Sequence, residues 1–182
     1  MNANTRRLVE SAILIALAAV LSLIKFFQMP LGGSLTLCSM LPIMLIGYKY
    51  GVKWGGLSAF TYSIVQILLD LGQVLSWGMT WQAVAASFLL DYILAFSSLG
   101  LAGVYGRGFG KYVAGMVTAV FCRFVFHVVS GTVIFASWMP KTWHNPFLYS
   151  VAYNGGFLLP DLALCLIAGC ILYKPLRRYI EA

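Results

Sequence analysis

Long apolar runs dominate this sequence and restrict the folds that it can adopt. A run of roughly 17–25 apolar residues is long enough to cross a bilayer as a helix. We count six such runs, the second of them short, at about 8–27, 35–48, 52–71, 82–105, 112–137 and 148–173. Only 9% of the 182 residues are charged, whereas a soluble domain carries about 25%. The sequence therefore predicts an all-α integral membrane protein, in which residues 1–182 form one domain of six transmembrane helices.

The second run is preceded by the segment MPLGGS at 29–34 and contains Pro42. Proline inside a helix removes a backbone hydrogen bond and bends the helix. Irregular backbone at membrane depth is tolerated where it lines a cavity or is buried in protein. We therefore expect a kinked second helix that follows a re-entrant or loosely structured loop.

Nine of the 12 lysine and arginine residues form small clusters at the chain ends or between alternate apolar runs, whereas the other loops contain only Lys25 and Lys141. The nine are Arg6, Arg7, Lys49, Lys53, Arg107, Lys111, Lys174, Arg177 and Arg178. Because cytoplasmic loops are enriched in lysine and arginine, this distribution predicts a multi-pass protein of the cytoplasmic membrane with both termini inside. The loops at about 28–34, 72–81 and 138–147 then face outward. The net charge of +7 is too dispersed to indicate a nucleic-acid-binding surface.

Five polar side chains lie deep inside the predicted spans: Asp91, Arg123, His127, Asn154 and Asp161. Such groups are costly in a bilayer and usually mark a functional site. At a rise of 1.5 Å per residue, Asp91 and His127 lie roughly 15 Å below the outer surface and Asn154 roughly 10 Å below it. These three could line one outward-opening cavity. Arg123 and Asp161 come out deeper, which favours a structural ion pair, with an Asp91–Arg123 pair as the alternative.

Aromatic residues accompany the polar ones. His127, Gly131 and Trp138 fall on nearly one face of the fifth predicted helix. Other residues predicted to approach the same cavity are Asp91, Tyr92, Tyr149 and Asn154, with Trp77 and Trp81 at its outer mouth. An anion, hydrogen-bonding groups and aromatic faces together suit a small, flat, polar ligand, including a cationic one.

The sequence lacks the motifs of an enzyme or a metal site. The segment GRGFGK at 106–111 is followed by Tyr112, where a phosphate-binding loop needs serine or threonine. The four cysteines have no metal-ligand spacing. We therefore expect no catalytic residues, no metal and no cofactor, so the energy for any uphill transport must come from a partner or a coupled ion.

The chain resembles the thiamine-specific substrate-binding (S) components of energy-coupling factor (ECF) vitamin transporters over essentially its whole length. The similar segments are ESAILIA at 10–16, MPLGGS at 29–34, LLDY at 89–92, RxxxHVVSG at 123–131 and YSVAYN at 149–154. The resemblance implies six helices, vitamin capture near the outer face, and assembly with a transmembrane coupling protein and two cytoplasmic ATPases.

The resemblance also implies roles for individual residues. Asp91 occupies the acidic ligand position, while Tyr92, His127, Gly131, Tyr149 and Asn154 match other binding positions. Phe135 stands where some members carry a stacking tryptophan, and Gly32 and Gly33 stand where some have a tryptophan. The small side chains of Ala12 and Ala16 match the surface that docks on the coupling protein.

The leading hypothesis is therefore a high-affinity vitamin-binding membrane subunit, with thiamine as the vitamin. One alternative is an S-component for another small aromatic vitamin, such as pyridoxine or a pyrimidine precursor of thiamine. A second alternative is a stand-alone, proton-coupled carrier that uses Asp91, Arg123 and Asp161 as a proton relay. The absence of a two-fold internal repeat argues against the carrier.

Overall fold

The computed structural model describes residues 2–181, and most of them are helical. The helices are α1 (Ala3–Leu23), α2 (Met40–Tyr50), α3 (Val52–Ser76), α4 (Trp81–Gly103), α5 (Phe109–Val133) and α6 (Pro146–Ile180). Two short strands, β1 (Lys25–Gln28) and β2 (Ser34–Thr36), form an antiparallel hairpin between α1 and α2. A single 3₁₀ turn, Ala136–Trp138, follows α5.

Four of these helices, α3 to α6, are long and apolar enough to cross a membrane. The two other helices are less apolar or shorter. Helix α1 carries Arg6, Arg7 and Glu10 in its first turns, and α2 has only 11 residues. Length and apolar composition therefore confirm a mostly helical membrane protein with four candidate spans.

The segment between the first two helices is more regular than the sequence indicates. The first apolar run was expected to remain helical to about residue 27, but α1 ends at Leu23 and Lys25–Gln28 is a strand. The predicted loose loop is instead a hairpin, because its exposed backbone groups pair across the two strands. Pro42 lies in the first turn of α2, where its missing N–H is not needed, so the predicted kink is not required.

Helix α4 changes its winding along its length. It is α-helical over Trp81–Ser87, a π-helix over Phe88–Leu94, briefly α-helical again, and a 3₁₀-helix over Ser98–Gly103. Single π-helical segments inside longer helices occur frequently at functional sites. The π-helical segment contains Asp91 and Tyr92, two of the predicted ligand residues.

Glycines bring the backbones of α2, α3 and α4 into direct contact. A Cβ atom added to Gly47 would lie 2.6 Å from the carbonyl oxygen of Gly100. One added to Gly55 would lie 2.5 Å from the Cα of Gly47, and one added to Gly100 would lie 2.5 Å from the carbonyl carbon of Gly55. Because backbone cannot move aside as a flexible side chain can, none of these positions accepts a side chain without separating the helices.

Acidic residues tie the two ends of the chain to α2. The Glu10 carboxylate accepts hydrogen bonds from Lys49 Nζ at 2.6 Å and from Tyr179 Oη at 2.8 Å. Glu181, just beyond α6, accepts from Tyr48 Oη at 3.2 Å. Hydrogen bonds from Tyr173 and Arg177 lower the pKa of Glu181 to about 2, so this carboxylate stays ionised at neutral pH.

We predict that Gly100→Ala lowers the thermal stability of the purified protein. Forcing one extra methyl between closely packed helices costs about 1–3 kcal/mol of unfolding free energy. The matched control is Gly72→Ala, because a Cβ at Gly72 would have nothing within 4 Å. Thermal unfolding in detergent should show a lower midpoint for Gly100→Ala than for Gly72→Ala, and equal midpoints would contradict the close packing.

Candidate functional site

A cavity of about 110 Å³ lies between the hairpin and the helix bundle. Small-molecule sites are concave and lined mainly by apolar and aromatic side chains with a few polar groups. Residues from α1, the hairpin and helices α3 to α6 line this cavity. Its aromatic lining consists of Tyr62, Trp77, Tyr92, Phe96, Phe135, Tyr149, Tyr153 and Phe157.

The charged side chains on the cavity are Lys25, Asp70, Asp91, Arg123 and Asp161. Two are cationic and three are carboxylates, so with all five ionised the lining carries one excess negative charge. The only pair of opposite formal charge among these five within 4.0 Å, in the described part of the chain, joins Lys25 Nζ to Asp70 at 3.9 Å. A cationic ligand would balance the excess charge.

Asp91 lies at the centre of a hydrogen-bonded group on α4 and α5. Its Oδ1 contacts His127 Nδ1 at 2.9 Å, and its Oδ2 accepts from Ser87 Oγ at 2.9 Å. Ser130 Oγ also donates to Oδ2. The Asp91 side chain remains 15% exposed, so the carboxylate is held in place and still faces the cavity.

Arg123 contacts His127 instead of a carboxylate. Its Nε donates to His127 Nε2 at 3.2 Å, and its guanidinium carbon lies 4.1 Å from the centroid of the Phe96 ring. The residue is only 9% exposed. A guanidinium over an aromatic face gains cation–π attraction, which partly replaces the water that burial removes.

The ion pairs predicted for Arg123 are wrong. Within residues 2–181, no Arg123–Asp161 or Asp91–Arg123 salt bridge forms. Asp161 instead accepts from Thr36 Oγ1 of strand β2, at 3.4 and 3.3 Å to its two oxygens. The depths estimated for straight helices placed Arg123 and Asp161 deeper in the membrane than the other three polar groups. In the structure, all five polar groups line one cavity.

The fifth polar group, Asn154, connects α6 to α5. Its Nδ2 donates to the Ser150 carbonyl at 2.9 Å and to the His127 carbonyl at 3.3 Å. Gly131 permits this close approach, since a Cβ there would lie 3.0 Å from Ser150 Cβ and closer still to its Oγ. Both residues line the cavity, as the sequence indicated for each.

The other predicted site residues separate into two groups. Tyr92, Phe135 and Tyr149 line the cavity together with Asp91 and His127. Trp81 and Trp138 do not line it, and Trp81 is 76% exposed at the start of α4. The prediction that Trp138 shares a helical face with His127 is wrong, because α5 ends at Val133, five residues before Trp138.

Several cavity residues carried little or no signal in the sequence. Trp77, which the pattern placed only at the outer mouth, packs edge-to-face on Phe135 at a centroid distance of 6.0 Å. Gln66 and Asp70 are polar residues in an apolar helix, a signal that could have selected them. Phe157 and the hairpin residues 31–34 have no such signal, because only the tertiary fold brings them to the cavity.

Ala12 and Ala16 lie away from this cavity, exposed on α1. They line a shallow, mostly apolar groove between α1 and α3, together with Leu8, Ile15 and Trp54. Elsewhere, residues 2–181 contain no group of three or more His, Cys, Asp or Glu side chains arranged to hold a metal ion.

Comparison with known proteins identifies the family. A family model described as "Thiamine transporter protein" matches residues 8–181. This chain belongs to the thiamine transporter protein family. Thiamine transporter ThiT of Bacillus subtilis is 33% identical over 97% of this chain and 94% of its own length. Thiamine transporter ThiT of Lacticaseibacillus paracasei is 24% identical over 70% of this chain and 67% of its own length.

A solved structure supports the same fold. ThiT from Listeria monocytogenes superposes with a TM-score of 0.80 at 22% identity, covering 98% of this chain and 99% of that one. Membership of the thiamine transporter family confirms the resemblance found in the sequence. It also confirms a multi-pass cell-membrane protein that serves transport and is not an enzyme.

Proposed function

We propose that this protein is the thiamine-binding S-component of an ECF-type uptake transporter. Family membership supports the substrate, and the cavity supports a site for it. The observation that carries the proposal is the excess of one carboxylate in a cavity lined by aromatic rings. Thiamine joins a cationic thiazolium to a flat aminopyrimidine, so it supplies the missing positive charge together with two rings for stacking.

In the proposed complex, Asp91 balances the ligand's positive charge. Asp91 is favoured over Asp161 because its side chain is 15% exposed on the cavity, whereas Asp161 is only 2% exposed. His127, Tyr92 and Phe135 supply ring faces. Trp77 takes the role that we predicted for Trp81 and Trp138. Tyr149 and Asn154 lie beside them on α6, and Gly131 leaves room between α5 and α6.

The membrane arrangement belongs to the same proposal. Residues 1–182 form one domain in which α1 and α2 complete a set of six spans with α3 to α6, with both termini in the cytoplasm. The cavity then opens outward beside the β1–β2 hairpin. The positions of the basic residues support this orientation, because they lie together near one end of the bundle. Arg6 and Lys49 both donate to Glu10. Arg107 donates to the Tyr48 carbonyl, and Arg177 donates to Glu181.

Uptake against a gradient requires an energy source, and the sequence contains no phosphate-binding loop motif that would provide one. We propose that a transmembrane coupling protein and two cytoplasmic ATPases supply it. The exposed groove containing Ala12 and Ala16 is the proposed contact for the coupling protein, because small side chains permit close approach of a partner helix.

Titration with thiamine and with pyridoxine tests the substrate. We expect thiamine to quench the tryptophan fluorescence of the purified protein, because Trp77 lines the cavity. Pyridoxine should bind much more weakly, since it has one ring and lacks the permanently cationic thiazolium. A Trp77→Phe variant should bind thiamine with a smaller fluorescence change. Tighter binding of pyridoxine than of thiamine would exclude the proposed substrate.

Replacement of Asp91 and of Asp161 tests which carboxylate meets the ligand. Asp91→Asn should weaken thiamine binding by about tenfold to a hundredfold, the loss expected for one charge-assisted interaction. Asp161→Asn, the matched control, should change the affinity by less than about threefold, because Asp161 is only 2% exposed and its oxygens already accept from Thr36. Isothermal titration calorimetry measures both. A larger loss of affinity for Asp161→Asn than for Asp91→Asn would show that Asp161, and not Asp91, meets the ligand.

Enlarged side chains on α1 test the docking surface. Ala12→Trp with Ala16→Trp should abolish co-purification with the co-expressed coupling protein and ATPases, while thiamine binding by the isolated subunit stays unchanged. The control is Ile167→Trp, at a side chain 60% exposed on α6. Co-purification that survives the α1 substitutions would show that the partner docks elsewhere.

A further inference from the structure

We propose that Arg123 is a positioning residue that fixes His127 in its Nδ1–H tautomer and thereby leaves Asp91 as an uncompensated anion for the ligand. This inference deepens the proposed function and rests on it for the identity of the ligand. It is carried by the chain of contacts that runs from Arg123 through His127 to Asp91.

The direction of each hydrogen bond in this chain follows from chemistry. A guanidinium has only donors, so His127 Nε2 must accept from Arg123 Nε and cannot itself carry a proton. A neutral imidazole has one protonated nitrogen, which must then be Nδ1. That nitrogen lies 2.9 Å from Asp91 Oδ1 and donates to it. The tautomer is therefore set from both sides by protein groups.

The same contact opposes protonation of His127. An imidazolium is a donor at both nitrogens, so its Nε2–H would face the Arg123 donor and the hydrogen bond would be lost. It would also place two cations side by side, with 3.2 Å between Arg123 Nε and His127 Nε2. A neutral His127 leaves the Asp91 charge available, whereas an imidazolium would pair with Asp91 and cancel it.

No other charged group on the cavity takes over the role of Arg123. Lys25 of the hairpin is paired with Asp70 of α3, and Asp161 of α6 accepts from Thr36. From α6, His127 is approached by the Asn154 amide at its backbone carbonyl and by the Phe157 ring at 6.0 Å. None of these groups contacts an imidazole nitrogen in the described residues.

Arg123 is itself held in a fixed position. Its guanidinium packs on the Phe96 ring, makes no salt bridge among residues 2–181 and donates from Nε to His127. With both nitrogens of His127 occupied, the imidazole presents only its faces to the cavity. His127 then stacks on a ligand ring, while hydrogen bonds to the ligand come from other side chains.

The pH dependence of thiamine binding tests this role. The wild-type affinity should change by less than about twofold between about pH 7.5 and pH 5.5. Arg123→Met should lose more than about threefold in affinity towards pH 5.5, because His127 Nε2 can then take up a proton and the imidazolium pairs with Asp91. Arg123→Lys, which keeps the positive charge, should show a smaller loss. An Arg123→Met profile as flat as the wild type would overturn the inference.

A second background separates His127 from Asp161 as the origin of the effect. His127→Phe keeps a ring but cannot titrate, so adding Arg123→Met to it should produce no pH-dependent loss between about pH 7.5 and pH 5.5. A loss that persists in this double variant would place the effect on another group and contradict the proposal.

Direct observation of the tautomer needs no variant of the site. The chain has two histidines, so 15N NMR of histidine-labelled wild type and His144→Gln protein assigns the His127 signals. We expect a protonated Nδ1 and an unprotonated Nε2 at about pH 5.5 and at about pH 7.5. The opposite tautomer, or an imidazolium, would overturn the inference. Failure of the wild type to bind thiamine would instead overturn the proposed function and leave this measurement valid.

Discussion

The placement of ionisable groups inside an apolar bundle is the constraint on which the site depends. Each such group must find a partner, because an isolated charge at membrane depth is costly. Asp91 meets this requirement with hydrogen bonds from Ser87, Ser130 and His127, and Arg123 meets it with His127 and the Phe96 ring. In the tautomer that we propose, the neutral imidazole between them separates the two charges instead of letting them neutralise each other. The cavity thus retains an anion that a cationic ligand can use.

The close contact of α2, α3 and α4 at their glycines holds this arrangement in place. Gly47, Gly55 and Gly100 allow backbone to touch backbone, which leaves little freedom for α4 to move relative to α3. On the N-terminal side of Gly100, α4 is wound as a π-helix around Asp91, so the change in winding occurs in a helix that is fixed at one end. The result is a site whose carboxylate is held by rigid neighbours, as selective binding requires.

Much of this architecture could be read from the sequence, and the errors share one cause. The apolar runs and the polar residues within them predicted the spans and named Asp91, His127 and Asn154. The Arg123–Asp161 pair and the position of Trp138 were wrong because both assumed straight, regular helices. The π-helix in α4, the end of α5 at Val133 and the contact of Asp161 with the hairpin depend on packing between distant segments.

The sequence by itself determined that this chain is a helical membrane protein of the thiamine transporter family, because hydropathy and motif order are properties of the linear chain. Only the tertiary structure decided which polar groups meet. Arg123 and His127 are one turn apart on α5, but Asp91 comes from another helix and Trp77 from a third. Contacts between helices depend on their rotation, winding and ends, and a single sequence does not encode these as a local pattern.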